Sequence, residues 1–431
     1  MAWDFETEPE FQQQLDWIDE FVREEIEPLD LIFKHYNDFS DPNRARLVPP
    51  LQAEVKRRGL WGCHLGPELG GLGFGQVKLA LMNEILGRSM MAPVVFGCQA
   101  PDSGNAEILA HYGTPEQKQR YLQPLLNNEI ASCYSMTEPQ GGSDPGVFTC
   151  KAERVGNEWV INGEKWFSSN ARYASFLIVM AVTDPEARRS RRMSMFIVPR
   201  ETPGIEIVRD VTAGFEKSGG HHAYIRYNDV RIPADHLLGQ VGQGFAVAQV
   251  RLGGGRIHHA MRTVGKVKQT FDMMCQRAQS RTTQGELLSQ KQMVQGMIAD
   301  SWLDIEQFRL LVLRTAWKID RSQDYKAVMG DISAVKALMP RVFHDVYARA
   351  IQIHGSIGVT NEMPFATGLM ESFHMGLADG PTEVHKVTLA KQVLGAYAGT
   401  DDVFPEYSIV RRREAAIQKY AGRLEREIGA L

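Results

Sequence analysis

The chain lacks the features that mark several specialised classes of protein. Its cysteines are odd in number and show no CxxC spacing, so neither a disulfide framework nor a zinc knuckle is expected; they are Cys63, Cys98, Cys133, Cys150 and Cys275. No apolar run reaches the roughly 18 residues of a membrane span. The formal net charge is only -4, which gives no general attraction to nucleic acid or anionic lipid.

The N-terminal segment also lacks the pattern of a targeting signal. It is acidic, with Glu6, Glu8 and Glu10, whereas secretory and transit peptides are basic at this position. Together with the unpaired cysteines, this predicts a reduced, cytoplasmic protein. The 431 residues are 43% hydrophobic and 23% charged, a composition typical of globular chains with two or three domains.

Apolar periodicity divides the chain into three regions. Residues 1–130 have helical spacing, residues 131–241 change to strand patterns, and residues 242–431 return to helical spacing. We therefore predict an α+β fold with an N-terminal all-α domain, a central β domain and a C-terminal helical bundle. The clefts between such parts are common ligand sites.

Two local patterns give sharper expectations within these regions. In the β region, an Asn162-Gly163 step separates two short apolar runs, which predicts a hairpin turn. In the C-terminal region, separate helices are predicted over residues 245–252 and 257–279.

The most informative segment is Leu-Ala-Asp-Gly-Pro-Thr-Glu-Val-His, residues 377–385. Asp379 directly precedes the Gly380-Pro381 step, which opens an apolar-periodic helix because Pro fits the first helical position. Asp379 therefore lies where backbone N–H groups point outward. A carboxylate there is either a helix cap or a reactive base that faces a pocket, and the segment alone leaves both interpretations open.

Two motifs in the β region have the composition of a cofactor site. Residues 134–144 contain paired glycines with hydroxyls at Thr137 and Ser143, and such turns can present N–H groups to a phosphate or a ring. Residues 165–170 place two aromatic residues before two hydroxyls, which suits a planar cofactor. A polar turn and an aromatic strand in the core are the alternatives.

Two further motifs lie in the C-terminal region. Residues 281–288 begin with Arg281 and two threonines, a combination that can bind a pyrophosphate through the guanidinium fork. Residues 352–358 interrupt a helical pattern with two glycines, which is a weak signal. A solvated loop between helices is the alternative for the first.

In this order, the motifs resemble those of the acyl-CoA dehydrogenase family, and the resemblance spans nearly the whole chain. The segments Gly255–His259 and Ala378–Pro381 are most similar to the branch of family members ten and eleven. The resemblance implies a helical N-terminal domain, a small central β-sandwich or barrel and a C-terminal four-helix bundle. It also implies a homotetramer or homodimer.

The resemblance implies FAD-dependent α,β-dehydrogenation of an acyl-CoA thioester to the trans-2-enoyl-CoA, as in fatty-acid β-oxidation. Asp379 stands where most members carry the Glu that removes the α-proton. A subset carries its base on another helix, and Gly255 occupies that position here. The β-hydrogen would leave as hydride to flavin N5, and an electron-transferring flavoprotein would accept the electrons.

The resemblance also implies the residues that contact FAD and the substrate. In the β region, the implied FAD contacts are Tyr134, Met136, Thr137, Gly142, Ser143, Phe167 and Ser169. In the C-terminal region they are Arg281, Thr283, Gln284, Leu288, Gln352, Gly355, Ser356, Pro381, Thr382 and Glu383. The implied substrate contacts are Ser143, Arg256, Ala378 and Gly380. Arg281, Thr283 and the Gln352–Gly355 loop would reach the FAD of a neighbouring subunit.

Several positions depart from the family pattern. Phe167 replaces a frequent Trp on the isoalloxazine, and Ser169 replaces the usual Thr near flavin N5. Gln284 and Ser356 replace a common Phe and a common Gly. Arg256 is a candidate contact for the pantetheine arm of the substrate, with a structural ion pair as the alternative.

Two other functions are compatible with the same fold. A flavin oxidase acting on nitroalkanes also uses an Asp base, but it reacts with oxygen. A non-enzymatic member that binds nucleic acid would need a strongly basic surface, which the net charge of -4 opposes. No metal site is expected, because neighbouring histidines such as His258 and His259 do not share one helix face.

Overall fold

The computed structural model describes residues 6–211, 222–399 and 403–425. The chain forms two compact units, residues 1–389 and residues 390–431, and the first contains every predicted site residue. The domain boundaries at residues 130 and 241 stay a prediction.

The N-terminal region is helical, as its periodicity predicts. Its helices are α1 (Pro9–Phe21), α2 (Pro42–Arg57), α3 (Gly75–Leu86), α4 (Ala92–Val95), α5 (Asp102–Tyr112), α6 (Pro115–Gln117) and α7 (Gln123–Leu126). Helix α6 begins with a capping box at Thr114: Thr114 Oγ1 accepts from Gln117 N at 3.2 Å, and Gln117 Oε1 accepts from Thr114 N at 3.1 Å.

The central region forms one mixed sheet. Its strands are β1 (Ser132–Ser135), β2 (Lys151–Val155), β3 (Glu158–Ser169), β4 (Phe176–Val182), β5 (Met193–Pro199), β6 (Ile205–Val211), β7 (His222–Pro233) and β8 (Leu237–Leu238). The strand order is β6-β7-β3-β1-β4-β5-β8, and β2 pairs with both β3 and β4. Because β1 also pairs with β3 and β4, these four strands close into a small ring.

The sheet buries both of its faces. Strand β4 is buried throughout, and alternate side chains enter different cores. Phe176 and Ile178 pack in a cluster that includes residues of α5, whereas Leu177 and Val179 pack among residues of β3 and β7. The sheet is thereby fixed against the N-terminal helices.

The predicted hairpin at Asn162-Gly163 is wrong. These residues lie inside β3, and the turn between β2 and β3 is Gly156-Asn157, with Gly156 at φ +59°. Gly163 instead sits at an irregularity of the ladder with φ +140°. A Cβ there would lie 2.5 Å from Cys150 Cα, so the glycine serves a close approach of two backbones.

The C-terminal region returns to helices. They are α8 (Gly244–Ser280), α9 (Gln292–Ser322), α10 (Met329–His354), α11 (Phe365–Leu377), α12 (Thr382–Leu394) and α13 (Ile409–Tyr420). The buried apolar residues of α9 and α10, and those of α8 from Ile257 to Met274, belong to the same core as those of α1 to α4, whereas Val247 and Ala248 of α8 pack in the cluster of α5 and β4. Among helices of the described ranges, none has the length and apolar composition needed to cross a membrane.

The two helices predicted over residues 245–279 are one continuous helix. Helix α8 passes through Gly253, Gly254 and Gly255 without a break, although each glycine costs about 1 kcal/mol relative to Ala in a helix interior. At Gly253 the space is used for packing, because a Cβ would lie 3.3 Å from Tyr325 Cγ. At Gly255 the space faces Asp379, whose Oδ2 would lie 3.5 Å from such a Cβ.

Candidate active site

Asp379 occupies the turn between α11 and α12, in the left-handed conformation with φ +56°. Few non-glycine residues adopt this conformation without support from their surroundings. The support comes from two side chains that bind the Asp379 carbonyl oxygen: Arg256 Nε donates at 2.9 Å, and His385 Nε2 lies at 3.3 Å. The backbone of the predicted base is therefore held from α8 and from α12.

Lys336 of α10 fixes the same turn from a third side. Its side chain is buried, and its Nζ donates to Met375 O at 2.8 Å and to Ala378 O at 2.9 Å. Burial lowers the pKa of Lys336 to about 8, while Asp379 acts in the opposite direction. The ammonium thus satisfies two carbonyls at the end of α11 and adds positive charge behind the base.

The carboxylate of Asp379 is not used as a helix cap. Within the described part of the chain no backbone N–H is bound to it, and its nearest titratable partner is His259, with Nε2 3.5 Å from Oδ2. About 19% of the side chain is exposed. The structure thus favours the interpretation as a base that faces a pocket.

The charge around Asp379 decides its acidity. Burial raises the pKa of this carboxyl, but His259, Arg251, Lys336 and Arg256 together outweigh burial and hold it below its usual value of 3.8. Asp379 is therefore a carboxylate at neutral pH. These neighbouring groups determine the balance between burial and stabilisation of the carboxylate, which could not be resolved from the sequence.

The predicted aromatic wall lies at the end of β3. Phe167 has φ +52° within an irregularity of the β3–β7 ladder, and 40% of its surface is exposed. Its ring contacts those of Trp166, His222 and His374. Ser169 Oγ lies 2.8 Å from His222 Nδ1 and retains capacity for another hydrogen bond.

The segment after β1 is tied to this wall. Trp166 N donates to Thr137 O at 2.8 Å, and Lys165 Nζ donates to Met136 O at 2.7 Å. Tyr134 faces α8, where Arg251 lies over its ring at 3.8 Å. Arg251 and His374 both act electrostatically on Asp379, so the two β-region motifs and the base surround one space.

Two of the four motifs lie far from this space within one chain. Residues 281–288 form a short hairpin of β9 (Thr282–Thr283) and β10 (Glu286–Leu287), whose turn residues Gln284 and Gly285 have positive φ. This hairpin follows the end of α8, roughly 35 Å from Arg256 at the rise of an α-helix. The 352–358 segment closes α10, where His354 lies in the electrostatic range of Arg277 near that end of α8.

The remaining predicted residues lie either near the space that Asp379 faces or near the far end of α8. Pro381, Thr382 and Glu383 follow the base at the start of α12, where Thr382 Oγ1 donates to Gly376 O at 3.2 Å. Gly142 and Ser143 are exposed in the turn after β1. Arg281, Thr283 and Gln284 are exposed and Leu288 is half-buried beyond α8, while Gln352, Gly355 and Ser356 are exposed at the end of α10.

Among the described residues, Arg256 binds the backbone of the base turn. It is buried, burial lowers its pKa, and its guanidinium binds Asp379 O and approaches Met329 Sδ at 3.9 Å. No carboxylate of that part of the chain forms an ion pair with it. Arg256 therefore acts on the backbone of the base instead of forming the structural ion pair considered from the sequence.

Several site residues were missed from the sequence. His259 could have been found, because Arg251, Gly255 and His259 recur at intervals of four and share one face of α8. Lys336 and His374 have no local signal, since they reach the base through the packing of α10 and α11. The described residues contain no group of His, Cys, Asp and Glu placed to hold a metal, and His221 lies outside them.

His385 gives a test of the electrostatics around the base turn. Burial lowers its pKa to about 4, with Arg256 and Lys336 acting in the same direction. In the unfolded state, His385 becomes protonated as the pH falls below 6.5. In the folded state, it becomes protonated only near pH 4. The free energy of unfolding should therefore decrease over that interval, by up to about 3 kcal/mol for this residue.

The measurement is urea unfolding of the wild type and of His385→Gln at pH 7 and near pH 4.5. The variant should lose less stability between the two conditions than the wild type does. Equal losses would show that His385 is protonated in the folded protein at the lower pH.

The fold and the site together indicate an α+β flavoenzyme, in which a small β domain is inserted between two packed helical parts. Family models match successive parts of the chain: the acyl-CoA dehydrogenase N-terminal domain over residues 8–129, the middle domain over 133–230 and the C-terminal domain over 242–394. The chain belongs to the acyl-CoA dehydrogenase family, and the resemblance of its motifs to that family is confirmed.

Individual relatives agree with this assignment. The chain is 39% identical over 391 residues to acyl-CoA dehydrogenase family member 11 of Gallus gallus, across 88% of this chain and 50% of that protein. It is 40% identical over 385 residues to the protein named FadE2 of Mycobacterium tuberculosis, across 86% of this chain and 93% of that one. It thus spans about half the length of the avian relative.

A solved structure is similar over nearly the whole chain. This structure is of a Mycobacterium abscessus protein described as an acyl-CoA dehydrogenase. Its similarity to this chain has a TM-score of 0.84 and 37% sequence identity. The match covers 91% of this chain and all of that one. The predicted α+β fold class is confirmed by these comparisons.

The family is one of FAD-dependent oxidoreductases, and the site fits that cofactor. The half-exposed Phe167 ring and the Ser169 hydroxyl beside it provide a flat apolar surface with a polar edge. Such an arrangement is suited to a planar heteroaromatic ring. FAD would therefore lie against the end of β3, next to the space that Asp379 faces.

Proposed function

We propose that this protein removes the α-proton and the β-hydrogen of an acyl-CoA thioester and forms the trans-2-enoyl-CoA, with Asp379 as the base. One observation carries the proposal: within the described residues the Asp379 carboxylate has one close partner, His259 Nε2 at 3.5 Å from Oδ2, while the backbone of its turn is held by Arg256, His385 and Lys336. A rigid backbone and a carboxylate that is not used as a cap suit a general base.

In this reaction, the bond between the α-carbon and its hydrogen breaks, and the proton passes to a carboxylate oxygen of Asp379. FAD, when bound, would supply the acceptor for the β-hydrogen, which leaves as hydride. The electrons of the broken α-C–H bond remain in the new carbon–carbon double bond. Asp379 then holds the proton as a neutral acid.

The thioester oxygen needs a donor as negative charge develops on it. The backbone N–H of Asp379 donates no hydrogen bond to any described residue, so it is available for this role. One such donor contributes about 3–4 kcal/mol in comparable oxyanion sites. The left-handed turn thus supports both proton removal and stabilisation of the thioester oxygen. Asp379 supplies the base through its carboxylate and the hydrogen-bond donor through its backbone N–H.

Substrate binding would make Asp379 more basic. In the free protein, part of the carboxylate is exposed to water and nearby cations hold its pKa low. An acyl chain placed against it would displace that water, and desolvation disfavours the charged form. The base would therefore gain proton affinity when the thioester is next to it.

We propose that a second copy of the chain completes the FAD site. Within one chain the 281–288 hairpin lies roughly 35 Å along α8 from the base, too far to contact the same flavin ring. Beside the hairpin, a groove of about 590 Å³ is lined by residues that include Phe271, Cys275 and Trp302, and Trp302 is 54% exposed. An exposed apolar groove of this kind is typical of a subunit contact. A homodimer or a homotetramer would satisfy this requirement.

The proposed pyrophosphate contact predicts that Arg281→Ala weakens FAD retention. Loss of charge-assisted hydrogen bonds should reduce affinity by roughly tenfold to a hundredfold. The flavin-to-protein ratio after gel filtration measures this effect. Arg341→Ala, which removes another exposed arginine, is the control, and an unchanged flavin content in Arg281→Ala would exclude the pyrophosphate role.

The reaction is tested by mixing the purified yellow protein anaerobically with acyl-CoA thioesters of different length and substitution. Bleaching of the flavin by one class of thioester is the expected result, and it would also identify the substrate. Reoxidation should then require an electron-transferring flavoprotein. No bleaching with FAD fully bound would contradict the proposal, and rapid reoxidation by air would favour an oxidase.

A further inference from the structure

One face of α8 lies directly opposite the carboxylate of Asp379. Gly255 and His259 are one helical turn apart on this face. A Cβ at Gly255 would meet only Asp379 Oδ2, at 3.5 Å, and His259 Nε2 lies 3.5 Å from the same oxygen. On this face of α8, Oδ2 of Asp379 therefore lies next to an open space at Gly255 and next to the imidazole of His259.

Asp379 needs a partner at its carboxylate because its backbone supports do not control side-chain rotation. Arg256 and His385 bind only the carbonyl oxygen. The terminal torsion of an Asp side chain is broad, so the two oxygens can exchange positions unless one is held. Among the described residues, only His259 is within ion-pair distance of this carboxylate.

The surroundings keep His259 neutral. Burial lowers the pKa of His259 to about 4, although Asp379 acts to raise it. A neutral imidazole can donate from one nitrogen while leaving the charge of the base intact. A protonated imidazole would instead form an ion pair and make the carboxylate a poorer base.

The other groups near this pair come from several elements. The titratable and charged groups that interact electrostatically with Asp379 or His259 are Arg251, Arg256, His258 and Arg262 of α8, Lys336 of α10, Glu371 and His374 of α11, Tyr134 of β1 and His385 of α12. Most are cationic or neutral, so removal of the imidazole would leave the positive surroundings of the base in place.

We propose that His259 is a positioning residue: its Nε2–H holds Oδ2 of Asp379, so that Oδ1 faces the α-carbon of the substrate. The inference rests on the proposed role of Asp379 as the base. In the step itself, the α-C–H bond breaks and an O–H bond forms at Oδ1. His259 neither gains nor loses a proton.

The test compares His259→Phe, which removes the donor, with His259→Gln, whose amide N–H can replace it. The rate constant for anaerobic bleaching of the flavin by a thioester substrate should fall by about tenfold to a hundredfold in His259→Phe, with little change in KM. His259→Gln should restore it to within about threefold of the wild type. His258→Gln, on a different face of the same helix, is the matched control.

The pH profile gives a readout that a merely structural role would not affect. Loss of the donor should raise the pKa of Asp379, because a hydrogen bond to the charged form is removed. The acid limb of the bleaching rate should therefore move to higher pH in His259→Phe and return in His259→Gln. Thermal unfolding of each variant would show whether the fold is kept.

The outcomes separate this inference from the proposed function. If the wild type bleaches its flavin and His259→Phe has the same rate and the same acid limb, His259 is not a positioning residue. An equal loss in His259→Phe and His259→Gln, with no movement of the acid limb, would also contradict it. If the wild type fails to bleach with any thioester, the proposed function itself is wrong.

Discussion

Asp379→Asn is expected to lose flavin bleaching by about a thousandfold or more while keeping its FAD, because an amide cannot accept the α-proton. The substitution preserves the size of the side chain and the backbone bonds from Arg256 and His385, which reach the carbonyl oxygen. The flavin surface at Phe167 belongs to a different element and should be unaffected. Stopped-flow absorbance under anaerobic conditions measures the loss, and the flavin-to-protein ratio reports cofactor retention.

Asp379→Glu is the matched control for this result. It keeps the carboxylate and lengthens the side chain by one methylene. The space opposite Asp379 at Gly255 can accept that methylene, since a Cβ there meets nothing else within 4 Å. We expect Asp379→Glu to keep most of the activity. Bleaching by Asp379→Asn at near the wild-type rate would remove Asp379 from the role of base.

The location of the base turn was predictable because its determinants are local. Proline at the start of a helix and glycine before it define a turn independently of tertiary contacts. Helix α12 accordingly begins at Thr382, directly after Pro381. The same is true of the capping box at Thr114. What the local pattern could not give is the state of the carboxylate, which depends on cations from α8 and α10.

The errors of sequence interpretation arise where tertiary contacts override local preference. Asn162-Gly163 has the composition of a hairpin turn, but the pairing of β3 with β7 continues through it. Gly253, Gly254 and Gly255 suggest a break in a helix, yet α8 continues because its neighbours pack on both sides. Another part of the molecule comes close to Gly163 and Gly253, where a Cβ would lie 2.5 Å from Cys150 Cα and 3.3 Å from Tyr325 Cγ.

The cofactor motifs show another limit of sequence interpretation, which concerns the distances between motifs in the folded chain. Their order along the chain was sufficient to identify the family, but not to place the residues relative to one another. Met136 and Phe167 lie near the base, whereas Arg281 lies at the far end of a helix of 37 residues. The length of α8 is therefore the reason that the proposed FAD site includes a second copy of the chain.

A buried ion pair connects the two cofactor motifs of the β region. Glu138 and Lys165 are both fully buried, and Lys165 Nζ lies 2.9 Å from Glu138 Oε1. Glu138 also accepts from Thr149 N at 2.7 Å and from Cys150 N at 3.0 Å. Burial raises the pKa of Glu138, but Lys165 and the backbone donors outweigh burial and lower it. The carboxylate is thus charged and fully bonded.

Lys165→Met should lower the free energy of unfolding by about 3–5 kcal/mol, because Glu138 would remain as a buried charge without its partner. FAD content should fall with it, since Lys165 also holds Met136 O next to the aromatic wall. Urea unfolding measures the stability, and absorbance of the bound flavin measures the cofactor.

Adding Glu138→Gln to Lys165→Met should recover part of the stability. The second change removes the stranded charge, and its amide oxygen can still accept from one of the two backbone N–H groups, those of Thr149 and Cys150, which bind different oxygens of Glu138. Arg231→Met breaks an exposed ion pair with Glu158 on the same sheet and should stay near the wild type. If Lys165→Met unfolded at the wild-type urea concentration and kept its flavin, the buried pair would not be what joins the two motifs.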